Sequence, residues 1–365
     1  MSLNFSRLSF NIGILRHFIN NALGLDKQLH RITGFELVSP LLDSVAYNSY
    51  LETVSNKTDT AYMRMKESII SRMVDAYLDY IKRLSDNFDW KTKEFILAFD
   101  YTDEDFYGDV QGFDIHGWTG KNGITGKFKF LTCSIVSDDI PQKIPLISVP
   151  IAMGHYKHQV IGYCLSLIKP LIGTIKLILF DRGFYDKELM YSLSETDYPY
   201  MIFVPKHEDK KSILSLMKDQ EHAAALHDFS FYKNGTKYEG QNILHFLKQL
   251  YDPRSDKNYD WVFATNVDIE RLGRIISVYK KRWRIETEFR VQDEARIKCK
   301  SKMMHIRYFL FLFEQMLQVQ WMCFFKEDVS FKKFLISMHE AGNEIAKHPK
   351  KRFRDTAWIN RNPVG

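Results

Sequence analysis

Residues 95–100 read FILAFD and residues 176–181 read KLILFD. Each is a short, nearly unbroken apolar run that ends on an acid, Asp100 in the first and Asp181 in the second. Runs of this length without polar alternation suit strands buried on both faces of a central sheet. If the two strands are neighbours, both acids emerge at the same edge of that sheet.

The segments around these runs extend the pattern. KFKFLTCSIVS (127–137) and PLISVPIAM (145–153) read as two more strands, spaced so closely after the first that an antiparallel meander is expected. Tyr156–Ile172 reads as a helix, Tyr185–Glu195 as another, and YMIFVPK (200–206) as a strand. The order is three strands, then helix, strand, helix, strand, with the second half supplying parallel strands and crossover helices. This order resembles the ribonuclease H-like fold. The expected class is therefore α/β, a ribonuclease H-like mixed sheet flanked by helices.

Residues 206–259 interrupt the alternation. They are polar at first, from His207 to Lys211, and then carry Asn234-Gly235 between aromatics, a strong hairpin signal. We read them as an inserted β-containing subdomain, after which DWVFATN (260–266) returns to the sheet. Residues 1–90 read as helical, with Thr58–Leu84 as one amphipathic helix capped by Thr58 or Asp59. Its apolar stripe is Tyr62, Met65, Ile69, Met73, Tyr77, Ile81 and Leu84. No helix-turn-helix signature is present there, so DNA binding by this region stays open. The expected divisions are 1–90, 91–205, 206–259, 260–300 and a helical 301–365 with a basic tail.

The stretch Tyr279–Asp293, YKKRWRIETEFRVQD, lacks Pro and Gly and reads as a helix. At 3.6 residues per turn, Tyr279, Arg282, Glu286, Arg290 and Asp293 share one stripe, which is polar where a core-facing stripe would be apolar. A solvated face laced with ion pairs has the same spacing. Two further carboxylates elsewhere favour a site. Asp100, Asp181 and Glu286 together form an oxygen-only donor set that suits two Mg²⁺ or Mn²⁺ ions rather than zinc. Two such ions, about 4 Å apart, can clamp the attacking and leaving oxygens of a phosphodiester. Glu288 lies about 200° round the helix from Glu286, so only one of the two can join the acids. Glu286 shares the stripe, and Glu288 is expected on the surface.

The net charge of +6 is unevenly spread. Residues 271–302 hold eleven Lys and Arg against four acids, a local excess that suits a polyanion such as nucleic acid. Lys280, Lys281, Arg284 and Arg290 are its candidate phosphate contacts. Gly126-Lys127 lacks the upstream Gly and the following Ser or Thr of a phosphate-binding loop. The four cysteines are far apart, which argues against a zinc finger and fits a reducing cytoplasm. The short apolar run Phe10–Leu15 does not read as a signal peptide. The apolar stretch Ile306–Phe325 is broken by Glu314, Gln315, Gln318 and Gln320, so it reads as a core helix and no membrane contact is expected.

Tyr279-x2-Arg282-Trp283-x2-Glu286 resembles the Tyr-x2-Arg-x3-Glu-x6-Lys signature of DDE transposases from bacterial and archaeal insertion sequences. DYTDEDFYG, which starts at the first acid, and DRGFYD, which starts at the second, are similar to the same group, over roughly residues 93–295. The resemblance implies Asp100, Asp181 and Glu286 as the catalytic and metal-binding triad. It also implies that Tyr279 and Arg282 contact DNA near the cut. The implied partners are the terminal inverted repeats and target DNA, both double-stranded, bound by a homodimer associated with the nucleoid. The implied reaction is cleavage at element ends and strand transfer. Asp293 stands where the signature has Lys. That departure keeps two alternatives in view, a nuclease that cuts without joining and an inactive DNA-binding derivative.

Overall fold

Both acid-ending runs lie side by side in one nine-stranded sheet of a computed structural model that describes residues 3–25, 32–118, 122–140, 143–205, 222–252, 257–267 and 275–348. The strands are β1 (Glu94–Phe106), β2 (His116–Gly117), β3 (Gly126–Ile135), β4 (Pro145–Ile151), β5 (Thr174–Phe180), β6 (Tyr200–Phe203), β7 (His222–Lys233), β8 (Thr236–Asp252) and β9 (Lys257–Thr265). β1, β3 and β4 form the expected antiparallel meander with β3 in the middle. β5 then pairs parallel to β1, and β6 parallel to β5. The central order β4-β3-β1-β5-β6 is the ribonuclease H-like arrangement. Ala98 lies opposite Leu179 and Phe99 opposite Phe180, so the next pair in register is Asp100 and Asp181.

Three details differ from the sequence reading. First, β1 does not stop at Asp100. Its pairing with β5 ends there, but its pairing with β3 continues to Phe106. The acidic residues beyond Asp100, which by composition suit a loop, are strand residues balanced by cross-strand charge: Asp103 lies 3.0 Å from Lys127 and 3.6 Å from Lys129. Second, the strands after residue 221 lengthen the central sheet, with β8 antiparallel to β9 and β9 antiparallel to β6. The hairpin turns at Asn234 and Gly235, both at positive φ, as that dipeptide allows. Residues 206–221, with His207, Glu208, Asp209 and Glu221, lie outside the described residues, as does the basic tail from 349 onward. Third, the helix expected over Thr58–Leu84 is two helices.

The helices of the N-terminal region are α1 (Phe5–Leu23), α2 (Gly34–Ala46), α3 (Leu51–Val54), α4 (Thr58–Glu67) and α5 (Ile70–Asn87). Between α4 and α5, Ser68 and Ile69 are extended. The Ser68 hydroxyl donates to the Ala22 carbonyl, which fixes the break, and Ile69 leaves the stripe to become 53% exposed. No side chain caps α4; the Thr58 hydroxyl instead donates to the Ser55 carbonyl at 2.8 Å.

Helices α6 (Lys157–Ile168) and α7 (Lys187–Glu195) are the crossovers around β5. Then come α8 (Ile275–Lys280), α9 (Trp283–Gln292), α10 (Met304–Phe324) and α11 (Phe331–Lys347). α10 is the spine of the molecule, buried along almost its whole length. A helix buried all round must satisfy its polar groups internally. The side chains that interrupt its apolar run do this in part, each tying a neighbour to it through one of its polar atoms. Gln315 accepts from Ser148 of β4 at 3.0 Å, Gln318 donates to the Glu288 carbonyl at 2.6 Å, and Gln320 donates to the Asn11 carbonyl at 2.9 Å. Glu314 accepts from the Ile297 N–H at 2.7 Å. α1 and α2 pack against α10 and α11, so the N-terminal and C-terminal helices form one layer. Among the described residues no helix is long and apolar enough to cross a membrane.

Candidate active site

The site lies where the β1–β5 pairing ends and is closed by α8 and α9. Ala98, Leu177, Leu179, Met201 and Phe263 on the sheet form a small core with Ile275, Val278 and Tyr279 of α8. This core holds α8 flat on the sheet face from which Asp100 and Asp181 project. Between α8 and α9 the backbone tightens. Lys281, Arg282, Arg284 and Ile285 each donate to the carbonyl three residues back. In such a turn, residues three apart eclipse. Arg282 is thereby stacked by the ring of Tyr279, 5.9 Å from its guanidinium carbon.

The guanidinium of Arg282 sits among the three acids. Nη1 is 2.6 Å from Asp100 Oδ2, and Nη2 is 2.8 Å from Glu286 Oε1 and 4.0 Å from Asp181 Oδ1. The Arg282 side chain is 5% exposed, whereas Asp181 and Glu286 are 37% and 43% exposed. The cation is therefore at the bottom and the carboxylates form the open rim. Burial pushes the Asp100 carboxyl up to about 6 despite the pull of Arg282 and the Tyr101 N–H. Desolvation outweighs the single ion pair. Two stacked rings brace the rim: Tyr101, next to Asp100, lies on Phe184 at 4.7 Å. Lys157 donates to the Gly183 carbonyl at 2.7 Å and fixes the turn after Asp181.

Asp100, Asp181 and Glu286 are thus brought together, as their sequence positions led us to expect. Among the described residues there is no ready-made cage of three or more His, Cys, Asp or Glu side chains. What joins the three carboxylates is the guanidinium. The donors, three carboxylates from three elements, are of the all-oxygen kind that hard divalent ions take.

The residues expected at DNA divide into two groups. Tyr279 is 2% exposed and packs on Phe263 at 4.8 Å, and Arg282 is equally buried. Neither has a free face for a phosphate in this arrangement. Lys281 pairs with Asp138 at 2.6 Å, and Arg284 pairs with the same carboxylate and donates to the Val136 carbonyl at 2.7 Å. These contacts lower the Asp138 carboxyl to about 2. Asp138 carried no signal in the sequence, since an isolated loop acid has many uses. Lys280 and Arg290 have no carboxylate partner among the described residues. They line an open groove of about 410 Å³ with Trp283, Arg284, Glu286 and Thr287. Charge reversal at Lys280 is therefore expected to weaken DNA binding and flatten its salt dependence. Reversal at Lys281 should mainly release Asp138, and matched salt titrations of the two variants check this.

Glu288 corrects the sequence reading most sharply. It was expected on the surface, but it is 5% exposed on the inner side of α9, and both carboxyl oxygens lack a hydrogen-bond partner among the described residues. Burial pushes its carboxyl well above the ordinary range. A carboxyl raised in the folded state favours folding most below its unfolded value, about 4.3, and loses that contribution as pH rises. Glu288→Gln is therefore expected to raise stability at pH 8. The gain should vanish near pH 4, as read by thermal unfolding at both values.

Similarity to known proteins agrees with the fold. Residues 125–313, more than half of the chain, match the family model described as Transposase DDE domain. The chain belongs to this family of transposases, which as a class cut and join DNA with the help of divalent metal ions. The matched span contains Asp181 and Glu286, and Asp100 lies before it. No curated protein matches the chain. Among solved structures it is similar to the piggyBac transposase in a synaptic complex with hairpin DNA, with a TM-score of 0.53 and 12% identity. That similarity covers 97% of this chain and 82% of the other, and it supports the ribonuclease H-like fold.

Proposed function

We propose that the protein is an insertion-sequence transposase that cuts at the ends of its own element and joins the freed 3′ ends to target DNA. The observation that carries this reading is the convergence of Asp100, Asp181 and Glu286 on one guanidinium at the end of two parallel strands. Asp100 and Asp181 would hold Mg²⁺ or Mn²⁺, with Glu286 completing a two-ion site. Bound there, the ions supply Lewis acidity to a scissile phosphodiester. The chain's own residues do the positioning. Arg282 keeps three like charges together, Tyr279 holds Arg282, and Lys280 and Arg290 remain free to meet phosphates beside Glu286. Two element ends call for two copies, so a homodimer forms on the DNA, in a cytoplasm where the nucleoid is at hand.

The test is a strand-transfer assay with donor-end duplexes. Cleavage and joining are expected with Mg²⁺ or Mn²⁺ and neither with EDTA; full activity in EDTA rules the mechanism out. Cutting without joining identifies a nuclease. Binding without cutting identifies an inactive derivative, the reading that Asp293 favours. That exposed acid lies 3.7 Å from Arg296 and puts no cation where the signature has Lys.

A further inference from the structure

The basic excess of residues 271–302 suggested a polyanionic partner, yet Lys281, Arg282 and Arg284 are bound to acids of the chain itself. A second group of cations in the same segment is unpaired. After α9 the chain runs as an extended strap, Ile297 buried, Lys298 exposed, Cys299 half-buried, Lys300 exposed, Ser301 half-buried and Lys302 exposed. No carboxylate lies within ion-pair distance of Lys298, Lys300 or Lys302 among the described residues. Among the described residues only Lys300 has a neighbour for its charge, the ring of Tyr50 at 4.6 Å.

The strap is held from inside. Buried Arg307 donates from Nε to the Ser301 carbonyl at 2.8 Å and from Nη2 to the Cys299 carbonyl at 3.0 Å, while Nη1 bonds Glu104 at 3.0 Å. At its start the Lys298 N–H donates to the Ser49 carbonyl at 3.1 Å. A guanidinium spent on two alternate carbonyls fixes the backbone as extended, and so fixes the three lysines on the outward side. Their spacing follows: alternate residues of an extended chain are about 6.6 Å apart. Successive phosphates of one duplex strand are separated by a similar distance, about 6–7 Å, because the strand turns about the axis as well as rising roughly 3.4 Å per step. Three lysines so placed can meet three successive phosphates of one strand.

We propose that Lys298, Lys300 and Lys302 form a second DNA contact, a sequence-independent clamp on the backbone of duplex flanking the cut. The inference rests on the proposed function, and it adds a surface apart from the triad. Lys298 is twelve residues beyond Glu286, about half of them helical, so the two backbones lie within about 30 Å of each other. That distance is under one turn of duplex, about 34 Å. DNA engaged at Glu286 reaches the strap within the same turn.

The experiment compares wild type with K298Q/K300Q/K302Q and with K280Q/R290Q, measuring anisotropy of a labelled duplex of arbitrary sequence over a KCl series. Each lost phosphate contact should reduce the log K against log salt slope by about 0.9, so the triple variant is expected to lose between about 2 and 3. Its unfolding temperature should not change, because the three side chains are exposed. A wild-type slope in the triple variant overturns the clamp, and if K280Q/R290Q still flattens the slope, the proposed function survives. Wild type that binds no duplex overturns both. Tighter binding to an RNA duplex than to the DNA duplex overturns the choice of partner.

Discussion

Replacing Arg282 with Gln is expected to destabilise the metal-free protein by about 3 kcal/mol and to make its stability depend on Mg²⁺. The reason is the position of the guanidinium. It is the cation shared by Asp100, Asp181 and Glu286, at 2.6, 4.0 and 2.8 Å. Gln offers no charge, so mostly buried Asp100 keeps its desolvation cost without its counter-ion. The figure is at the low end for a broken buried pair because two of the three acids are partly solvated. A divalent ion then has more to gain in the variant, and binding to the folded state raises stability in proportion to RT ln(1 + [L]/Kd). Thermal unfolding with EDTA and with Mg²⁺ reads this directly. Equal Mg²⁺-induced shifts in wild type and variant would mean that Arg282 and the metal do not share the three carboxylates.

The second large effect separates Glu286 from Glu288. Glu286→Gln keeps the shape of the side chain but removes the charge a divalent ion requires, so cleavage should fall by at least about 10³-fold, or some 4 kcal/mol of barrier. Binding to donor ends should persist, since Lys280 and Arg290 are untouched. Glu288→Gln should leave cleavage within a few-fold of wild type, because its side chain is buried on the side of α9 nearly opposite Glu286. Cleavage and gel-shift on one duplex, with unfolding measured alongside, keep a folding defect apart from a chemical one. Loss of cutting in Glu288→Gln alone, with the fold intact, would reverse the assignment of the two faces of α9.

The pairing of Asp100 with Asp181 was legible because two apolar runs of similar length ended on the same residue type. Glu286 was legible because its stripe was polar where a core stripe should not be. What stayed hidden depended on partners far away in sequence. DYTDED reads as a loop by composition, and becomes strand only once Lys127 and Lys129 are known to lie beside Asp103. The fate of Lys281 and Arg284 depended on Asp138, nearly 150 residues earlier, and no periodicity announces it. Glu288 misled because a carboxylate off the polar stripe reads as a surface group, whereas that side of α9 faces the interior. Its burial is set by α10 behind it, whose own polar side chains must be satisfied from within. The break at Ser68 was invisible for a similar reason, since it is made by a carbonyl of α1.

The shared layer of N- and C-terminal helices has a consequence for how the protein is made. Arg7 bonds Asp328 at 2.9 Å, Ser39 bonds Asn343 at 2.8 Å, and His339 lies 2.7 Å from Asp43. About 300 residues of synthesis separate these partners, or roughly 15–60 s at ordinary translation rates. Until α10 and α11 leave the ribosome, α1 has only α2, α4 and α5 to pack on, and the face of α2 that meets α11 is bare. A message cut short before residue 304 would therefore yield no stable N-terminal fragment to occupy DNA in competition with the intact protein. Decayed copies of the gene would fall silent instead of becoming repressors.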